Sequence, residues 1–231
     1  DLATLRGIIE RGPEAFYTGP VAEAIVAAVA REGGVMSLDD LAAHESVIRA
    51  PVAVDYRGVE VLTQPPSSQA MLLAMALRRL AREAPSDRSP PAQHRAIEAI
   101  AGAFAFRDRI TQPGADEELL ALADGIEIGE RASRADHAKG YNHTTSVTTA
   151  DREGNVVSML ISVFDSFGCA TWVPGGGFFL NDRLLSFSRD PESPNAPAGG
   201  KRPVHTLSPA MIVDGDRCVG ISTPSADGQV Q

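Results

Sequence analysis

The spacing of apolar residues changes near residue 143, and this change limits the folds that are open to the chain. Before it, Ala-rich stretches carry apolar residues three and four positions apart, as at Val21, Ile25 and Val29, which is typical of amphipathic helices. After it, short alternating or β-branched runs are separated by Gly, Asn, Asp and Pro, which is typical of strands joined by turns. Helices followed by antiparallel strands predict a layered α+β fold rather than a series of β-α-β units.

The same two patterns predict the positions of individual elements. Ser37, followed three residues later by Asp40, is similar to a capping box and indicates the start of a short helix. The Pro-rich residues 189–203 predict a surface loop. Longer helices are expected over 67–84, 91–111 and 117–123, and a hairpin over 52–62. The predicted strands of the second half are 144–150, 155–164, 178–181, 209–213 and 217–223.

Composition and charge exclude several classes of protein. The chain of 231 residues holds 21 Lys and Arg against 30 Asp and Glu, and it has no basic run that could bind nucleic acid phosphates. No apolar stretch approaches the roughly 18–20 residues that cross a bilayer. The two cysteines, Cys169 and Cys218, form neither a disulfide framework nor a Cys-x-x-Cys pair. Three histidines, His44, His94 and His137, lie too far apart to indicate a metal site.

One segment carries the clearest chemical signal, the run from His143 and Thr144 through Asp151 to Ser158. A Thr hydroxyl is a weak nucleophile unless a base lies beside it. If Thr144 is the first residue of a chain, its own α-amine, with a pKa near 8, can accept the hydroxyl proton. The same residues also fit a Thr-rich β-strand. From spacing alone, both interpretations stay open.

This segment and its surroundings resemble the γ-glutamyltransferase family of N-terminal nucleophile hydrolases. The family pattern is a Thr-Thr pair that opens a strand, followed by Asp-x-x-Gly-Asn-x-Val-Ser, as at Thr144 and at 151–158. Further matches follow in the family's order along nearly the whole chain, at 12–17, 55–58, 65–68, 180–182, 201–203 and 207–209. The resemblance implies a four-layer αββα sandwich, seen here in part. Residues 1–143 would end a large subunit and 144–231 would begin a small one, together forming one catalytic domain.

The resemblance also implies the roles of catalytic residues. The precursor would cut itself between His143 and Thr144, and Thr144 would become the nucleophile. Ser162 matches a family Thr that hydrogen-bonds the nucleophile. Ser225 and Ala226 stand where the family has a Gly-Gly pair whose N–H groups bind the oxyanion. We expect no metal and no cofactor, because nucleophile, base and oxyanion donors all come from the protein.

Five positions that match the family's substrate contacts carry different residues here. Phe164 replaces an Asn, Arg183 a Gln, and Ser186 the Asp that binds the substrate amine, while His205 and Thr206 replace paired serines. Without that Asp, a substrate ammonium loses its counter-charge in a partly desolvated pocket. Residues 205–207, His-Thr-Leu, together with 227–229, Asp-Gly-Gln, are more similar to the acylase-like branch, which includes cephalosporin acylase relatives and enzymes of antibiotic biosynthesis. The predicted activity is cleavage of an acyl or amide bond in a small molecule other than a γ-glutamyl compound.

Two alternatives remain beside this interpretation. One is a γ-glutamyl hydrolase or transpeptidase that acts on glutathione-like compounds. The other is a processing-dead homologue that has kept the fold as a binding or scaffold module, suggested by the changed substrate contacts together with the loss of the Gly-Gly pair. The expected partners are a small-molecule substrate and the protein's own two subunits after self-cleavage, with no nucleic acid and no membrane. The sequence is compatible with a homo-oligomer, and a cytoplasmic location is favoured over a periplasmic or secreted one.

Overall fold

The computed structural model describes residues 2–83, 87–112, 114–132, 144–224 and 229–230, and it divides the chain into two compact units. The first unit comprises Asp1–Ile48 and Val163–Asp182, and the second comprises Arg49–Ser162 and Arg183–Gln231. Each unit therefore takes segments from both sides of residue 144. The division between two subunits after residue 143 stays a prediction.

The helices and strands alternate in blocks along the chain. The helices are α1 Leu2–Arg11, α2 Glu14–Tyr17, α3 Gly19–Arg31, α4 Leu38–Ala42, α5 Ala70–Leu80, α6 Pro90–Phe104 and α7 Asp116–Ala123. The strands are β1 Val52–Tyr56, β2 Val59–Thr63, β3 Thr144–Ala150, β4 Val156–Ser162, β5 Trp172–Val173, β6 Phe178–Phe179, β7 Ala210–Asp214 and β8 Arg217–Ile221. Two 3-10 turns complete the set, at Arg107–Thr111 and Arg183–Ser186.

The first unit joins helices α1 to α4 to the short β5–β6 pair. Its core is formed by Ile25 on α3 and Val173 on β5, both at most 2% exposed. The predicted capping box at the start of α4 is confirmed. The Ser37 hydroxyl accepts a hydrogen bond from the Asp40 N–H at 3.2 Å, and the Asp40 carboxylate accepts one from the Ser37 N–H at 2.8 Å.

The second unit is built on an antiparallel sheet in the order β1-β2-β7-β8, with α5 and α6 packed against each other beside it. Its core centres on Met71 and Met75 of α5, which are fully buried.

The prediction of one helix over 91–111 is wrong at its end. Helix α6 stops at Phe104, and a 3-10 turn follows that brings Ile110 into the same core with no exposure. Burial of one large apolar side chain outweighs continuation of the helix here.

Cross-strand register fixes the layers of the second unit. Residues directly opposite each other share a face of the sheet. Val54 pairs with Val61, Val61 with Ile212 and Ile212 with Val219, so one face carries all four. Val54 packs into the cluster that holds α5, so this face carries the helices. Gly220 faces the other way, and a Cβ added to it would lie 2.7 Å from Thr148 Cγ2 on β3. The β3–β4 hairpin therefore covers the face away from the helices. This confirms the α+β prediction and gives a helix–sheet–sheet stack, three layers of the predicted αββα sandwich.

The contact at Gly220 makes the Gly220→Ala variant informative. A β-strand alanine ordinarily stabilises relative to glycine, but this methyl group would also lie 3.1 Å from Val156 Cγ1. We expect the clash to win and to lower the free energy of unfolding by about 1–3 kcal/mol. Urea titration of the full-length protein measures the change. Gly199→Ala, which adds a methyl group where nothing lies within 4 Å, is the matched control. A Gly220→Ala variant as stable as that control would contradict the stacked arrangement.

Candidate active site

The proposed nucleophile lies at the end of the β3–β4 hairpin. Thr144 is the first residue of β3, and its partner across the ladder is Ser162, the last residue of β4. Directly opposite residues share one face of the hairpin and have Cβ atoms about 5 Å apart. Thr144 is only 7% exposed. The structure therefore brings together the two hydroxyl residues for which the sequence predicts nucleophile and orienting roles.

The turn of the hairpin explains why this pairing forms. The Asp151 carboxylate accepts hydrogen bonds from the N–H groups of Glu153 at 3.0 Å and Asn155 at 2.9 Å, and from the Asn155 side chain at 2.7 Å. These bonds favour the charged carboxylate, and the Asn155 side chain contributes most to a lowered pKa for Asp151. The turn fixes a register that runs without interruption to Thr144 and Ser162. Because a slip by one residue would reverse every side chain, this motif controls which way Thr144 points.

Two polar contacts hold the hairpin against the end of β8. The hydroxyl groups of Thr148 and Ser222 lie 2.9 Å apart, and the Ser158 hydroxyl donates to the carbonyl of Ile221 at 2.6 Å. Thr148 and Ser158 face each other across the hairpin, so both sides of it are attached. The chain leaves β8 here toward the predicted oxyanion donors. Those donors, Ser225 and Ala226, lie outside the described residues, and so does His143 on the other side of the predicted cleavage site.

Four of the five predicted substrate contacts belong to the second unit. Arg183 and Ser186 are the first and last residues of a 3-10 turn, and His205 and Thr206 follow the 189–203 loop. The Arg183 guanidinium donates to the Thr206 hydroxyl at 3.4 Å, which joins the turn to that second segment. Phe164, the fifth, belongs to the first unit.

His205 has an unusual environment for a histidine. Its backbone forms a parallel bridge with Ser68, in which the His205 N–H donates to Ser67 at 3.1 Å and the His205 carbonyl accepts from Gln69 at 2.9 Å. Desolvation, reinforced by the positive charges of Arg183 and Arg202, lowers the pKa of the imidazole from 6.5 to about 4. His205 is therefore neutral at neutral pH.

Several buried polar atoms in this unit lack a hydrogen-bond partner among the described residues. They include the Ser186 hydroxyl, the Nδ1 atom of His205 and the Nε2 atom of Gln229. Such atoms are costly in a folded protein unless a ligand or another group satisfies them. The Oε1 atom of the same Gln229 side chain accepts from the Ser208 N–H at 2.8 Å. The sequence predicts no role in the site for Gln229, whose one signal is its place in the 227–229 match to the acylase-like branch.

The part of the chain that the structure describes shows neither a metal-binding cluster nor a membrane-spanning helix. No group of three or more His, Cys, Asp or Glu side chains there has an arrangement that could hold a metal ion. None of the helices there combines the length and the apolar character that crossing a membrane requires.

Residues 2–223 match a family model described as Gamma-glutamyltranspeptidase. The chain belongs to the γ-glutamyltranspeptidase family. It is 33% identical over 241 residues to the glutathione hydrolase-like YwrD proenzyme of Bacillus subtilis, covering 99% of this chain and 46% of that protein. It is 31% identical over 242 residues to the oxamate amidohydrolase proenzyme of Klebsiella pneumoniae, with the same two coverages. These relatives make the family one of hydrolases and amidohydrolases.

A solved structure supports the fold and the branch. The cephalosporin acylase of Bacillus halodurans superposes with a TM-score of 0.80 and 32% identity, over 94% of this chain and 42% of that one. This agreement confirms the fold type of the γ-glutamyltranspeptidase family and places the chain near its acylase-like branch. The chain spans about half the length of the curated relatives that it matches. The roles of individual residues, Thr144 included, remain predictions.

Proposed function

We propose that the full-length protein is a self-processing hydrolase or acyltransferase whose nucleophile is Thr144, freed as an N-terminal residue by cleavage after His143. The observation that carries this proposal is the hairpin register, in which the buried Thr144 lies opposite Ser162 at the start of a strand. The proenzyme names of the relatives in Bacillus subtilis and Klebsiella pneumoniae support a cleavage step.

Self-cleavage uses the hydroxyl of the residue that it will expose. The Thr144 hydroxyl attacks the carbonyl carbon of His143, the C–N bond breaks, and the acyl group moves onto the Thr144 oxygen as an ester. The displaced nitrogen becomes the Thr144 α-amine and keeps the hydroxyl proton. Water then hydrolyses the ester, which leaves His143 with a carboxylate and Thr144 with a free hydroxyl.

The freed α-amine is the base for the substrate reaction. With an ordinary pKa near 8, part of it is unprotonated at neutral pH and takes the proton as the Thr144 hydroxyl attacks an amide carbonyl. Ser162 orients the hydroxyl, and the N–H groups of Ser225 and Ala226 bind the oxyanion. The amine product leaves with the proton. Water, or an acceptor amine, then removes the acyl group from Thr144.

The residues proposed to bind the acyl group favour one without an ammonium. Ser186 brings no negative charge, His205 is neutral at neutral pH, and Arg183 brings a positive charge beside Thr206. Two like charges about 4 Å apart near a protein surface repel by on the order of 4 kcal/mol, and opposite charges attract by as much. The pocket therefore selects an acyl group that carries a carboxylate. Oxamate, the compound in the name of one relative, has a carboxylate beside its amide and no ammonium.

Two anilides that differ only in the ammonium test this proposal. Glutaryl p-nitroanilide is γ-glutamyl p-nitroanilide without its α-amine, so the leaving group and the scissile bond are the same. We expect the full-length protein to hydrolyse the glutaryl compound with a kcat/KM at least about tenfold higher than that of the γ-glutamyl compound. An ammonium without its counter-charge should raise the transition-state free energy of the γ-glutamyl compound by more than about 1.4 kcal/mol. Release of p-nitroaniline gives the rate.

The other outcomes separate the competing functions. Faster hydrolysis of the γ-glutamyl anilide would overturn the carboxylate proposal and favour a glutathione-type hydrolase. Failure to cleave either anilide, in a protein that also stays uncut after His143, would favour the scaffold module instead.

A further inference from the structure

We propose that Asn195 is a positioning residue that holds the two acyl-binding segments, the Arg183–Ser186 turn and residues 204–206, at a fixed separation. The inference rests on the proposed function of those segments as substrate contacts. Asn195 lies within the 189–203 stretch for which the sequence predicts a surface loop, yet it is only 1% exposed. A polar side chain buried this completely has its position set by its hydrogen bonds.

The side-chain amide of Asn195 connects the two segments directly. Its Nδ2 group donates to the carbonyl of Ser186 at 2.8 Å, and its Oδ1 atom accepts from the N–H of Val204 at 3.3 Å. Ser186 is the last residue of the turn, and Val204 immediately precedes His205. One planar amide therefore lies between the backbones that carry the proposed substrate contacts.

Neighbouring groups fix the orientation of that amide. Nδ2 also lies 3.4 Å from Asp108 Oδ1, and the Asn195 backbone is held separately, since its main-chain carbonyl accepts from the Ser188 N–H at 3.0 Å. A flipped amide would set its oxygen against the Ser186 carbonyl and the Asp108 carboxylate, both of which are acceptors. The structure therefore allows one orientation, in which donor and acceptor each meet their partner.

The arrangement predicts an effect on acyl-group binding rather than on the nucleophile. Thr144 and Ser162 lie on the hairpin, whose register depends on the Asp151 turn and not on Asn195. The contact from Arg183 to Thr206, at 3.4 Å, joins two side chains, whereas the Asn195 amide bonds to the backbone of both segments. If the amide is removed, the two segments can move apart, and a displacement of about 1 Å is enough to weaken a binding site.

The test compares Asn195→Ala with wild type in the full-length protein. We expect the KM for glutaryl p-nitroanilide to rise about tenfold or more, while kcat and the rate of self-cleavage after His143 stay within about twofold. Ser193→Ala is the matched control, since its hydroxyl donates to Asp108 at 2.8 Å and accepts from the Asn195 N–H, but has no hydrogen bond to either acyl-binding segment. Its KM is expected to stay within twofold of wild type. An unchanged KM in Asn195→Ala, or equal losses in self-cleavage and turnover, would overturn the positioning role.

A second variant covers the case in which Asn195→Ala does not fold, and a second measurement, histidine NMR, does not depend on enzyme activity. If Asn195→Ala does not fold, Asn195→Asp combined with Asp108→Asn keeps the acceptor for Val204 and avoids two adjacent carboxylates, while the donor to Ser186 is lost, and the same rise in KM is expected. Histidine NMR reports on the segment without any substrate. In Asn195→Ala the His205 imidazole should titrate closer to its ordinary pKa as residues 204–206 become hydrated, and an unmoved titration would count against the proposal. A wild type inactive on both anilides would refute the proposed function alone.

Discussion

The Thr144→Ala variant of the full-length protein is expected to remain a single uncut chain and to lose all measurable amidase activity. The methyl group has no lone pair, so it can neither attack the His143 carbonyl nor form an acyl-enzyme. Loss of a nucleophile typically lowers turnover by more than about a thousandfold. Intact mass and N-terminal sequencing, beside wild type prepared in parallel, give the result directly. Wild type should yield a fragment that begins at Thr144.

Two substitutions in the same hairpin make this result specific to the hydroxyl of one residue. Thr145→Ala removes a hydroxyl from the next residue of β3, which is exposed on the opposite face, and it should still be cut. Ser162→Ala removes the hydroxyl opposite the nucleophile, and we expect slower cleavage rather than none. A Thr144→Ala variant that is still cut between His143 and Thr144 would reject Thr144 as the nucleophile. A wild type that stays uncut under all conditions would favour the scaffold alternative.

The geometry around Thr144 could be predicted from the sequence because it is local. The hairpin depends on an Asp-x-x-Gly-Asn turn whose hydrogen bonds all lie within five residues, and period-two alternation then sets the register. Once Asp151 is placed, Ser162 follows as the partner of Thr144 without any long-range information. The same reasoning explains why the capping box at Ser37 and Asp40 was predicted correctly.

The surroundings of the proposed acyl-binding residues could not be predicted in this way. Asn195 lies in a stretch rich in Pro and Gly, for which composition predicts exposure, but it is buried by partners far away in sequence, such as Asp108. Helix α6 was predicted to continue to residue 111, because periodicity carries no information about the core that draws in Ile110. Long-range packing decides both cases, and a single sequence does not specify it.

The environment of His205 also could not be predicted from the sequence. It is the basis of the second large effect that we predict, a pH dependence of the free energy of unfolding. The resemblance implies a substrate contact for His205, and its position after the Pro-rich loop gives no sign of its burial. In the structure its Nδ1 atom is buried without a partner among the described residues, and desolvation together with Arg183 and Arg202 lowers its pKa to about 4. An unfolded chain restores the ordinary value of 6.5. The unfolded state therefore binds this proton over a range of pH in which the folded state does not.

The direction of the pH effect follows from that difference. A depressed folded-state pKa means that the stability due to neutral His205 is fully present above pH 6.5 and is lost as the pH falls from 6.5 through 4. Each pKa unit is equivalent to 1.36 kcal/mol, so between pH 7 and pH 4 the free energy of unfolding should fall by about 3 kcal/mol on account of this one residue. Urea titrations of the full-length protein at the two pH values measure the total fall.

Comparison of variants isolates the part of that fall that belongs to His205. His205→Asn cannot take up the proton, so its stability should fall between pH 7 and pH 4 by about 3 kcal/mol less than that of wild type, even if the variant is less stable at both. His94→Gln is the matched control, because the His94 Nε2–H donates a hydrogen bond to the Gly129 carbonyl at 2.8 Å and the residue keeps partial exposure. It should follow wild type. If His205→Asn also follows wild type, the imidazole is not held neutral in the folded protein, and the positive character assigned to the acyl-binding pocket must come from more than Arg183.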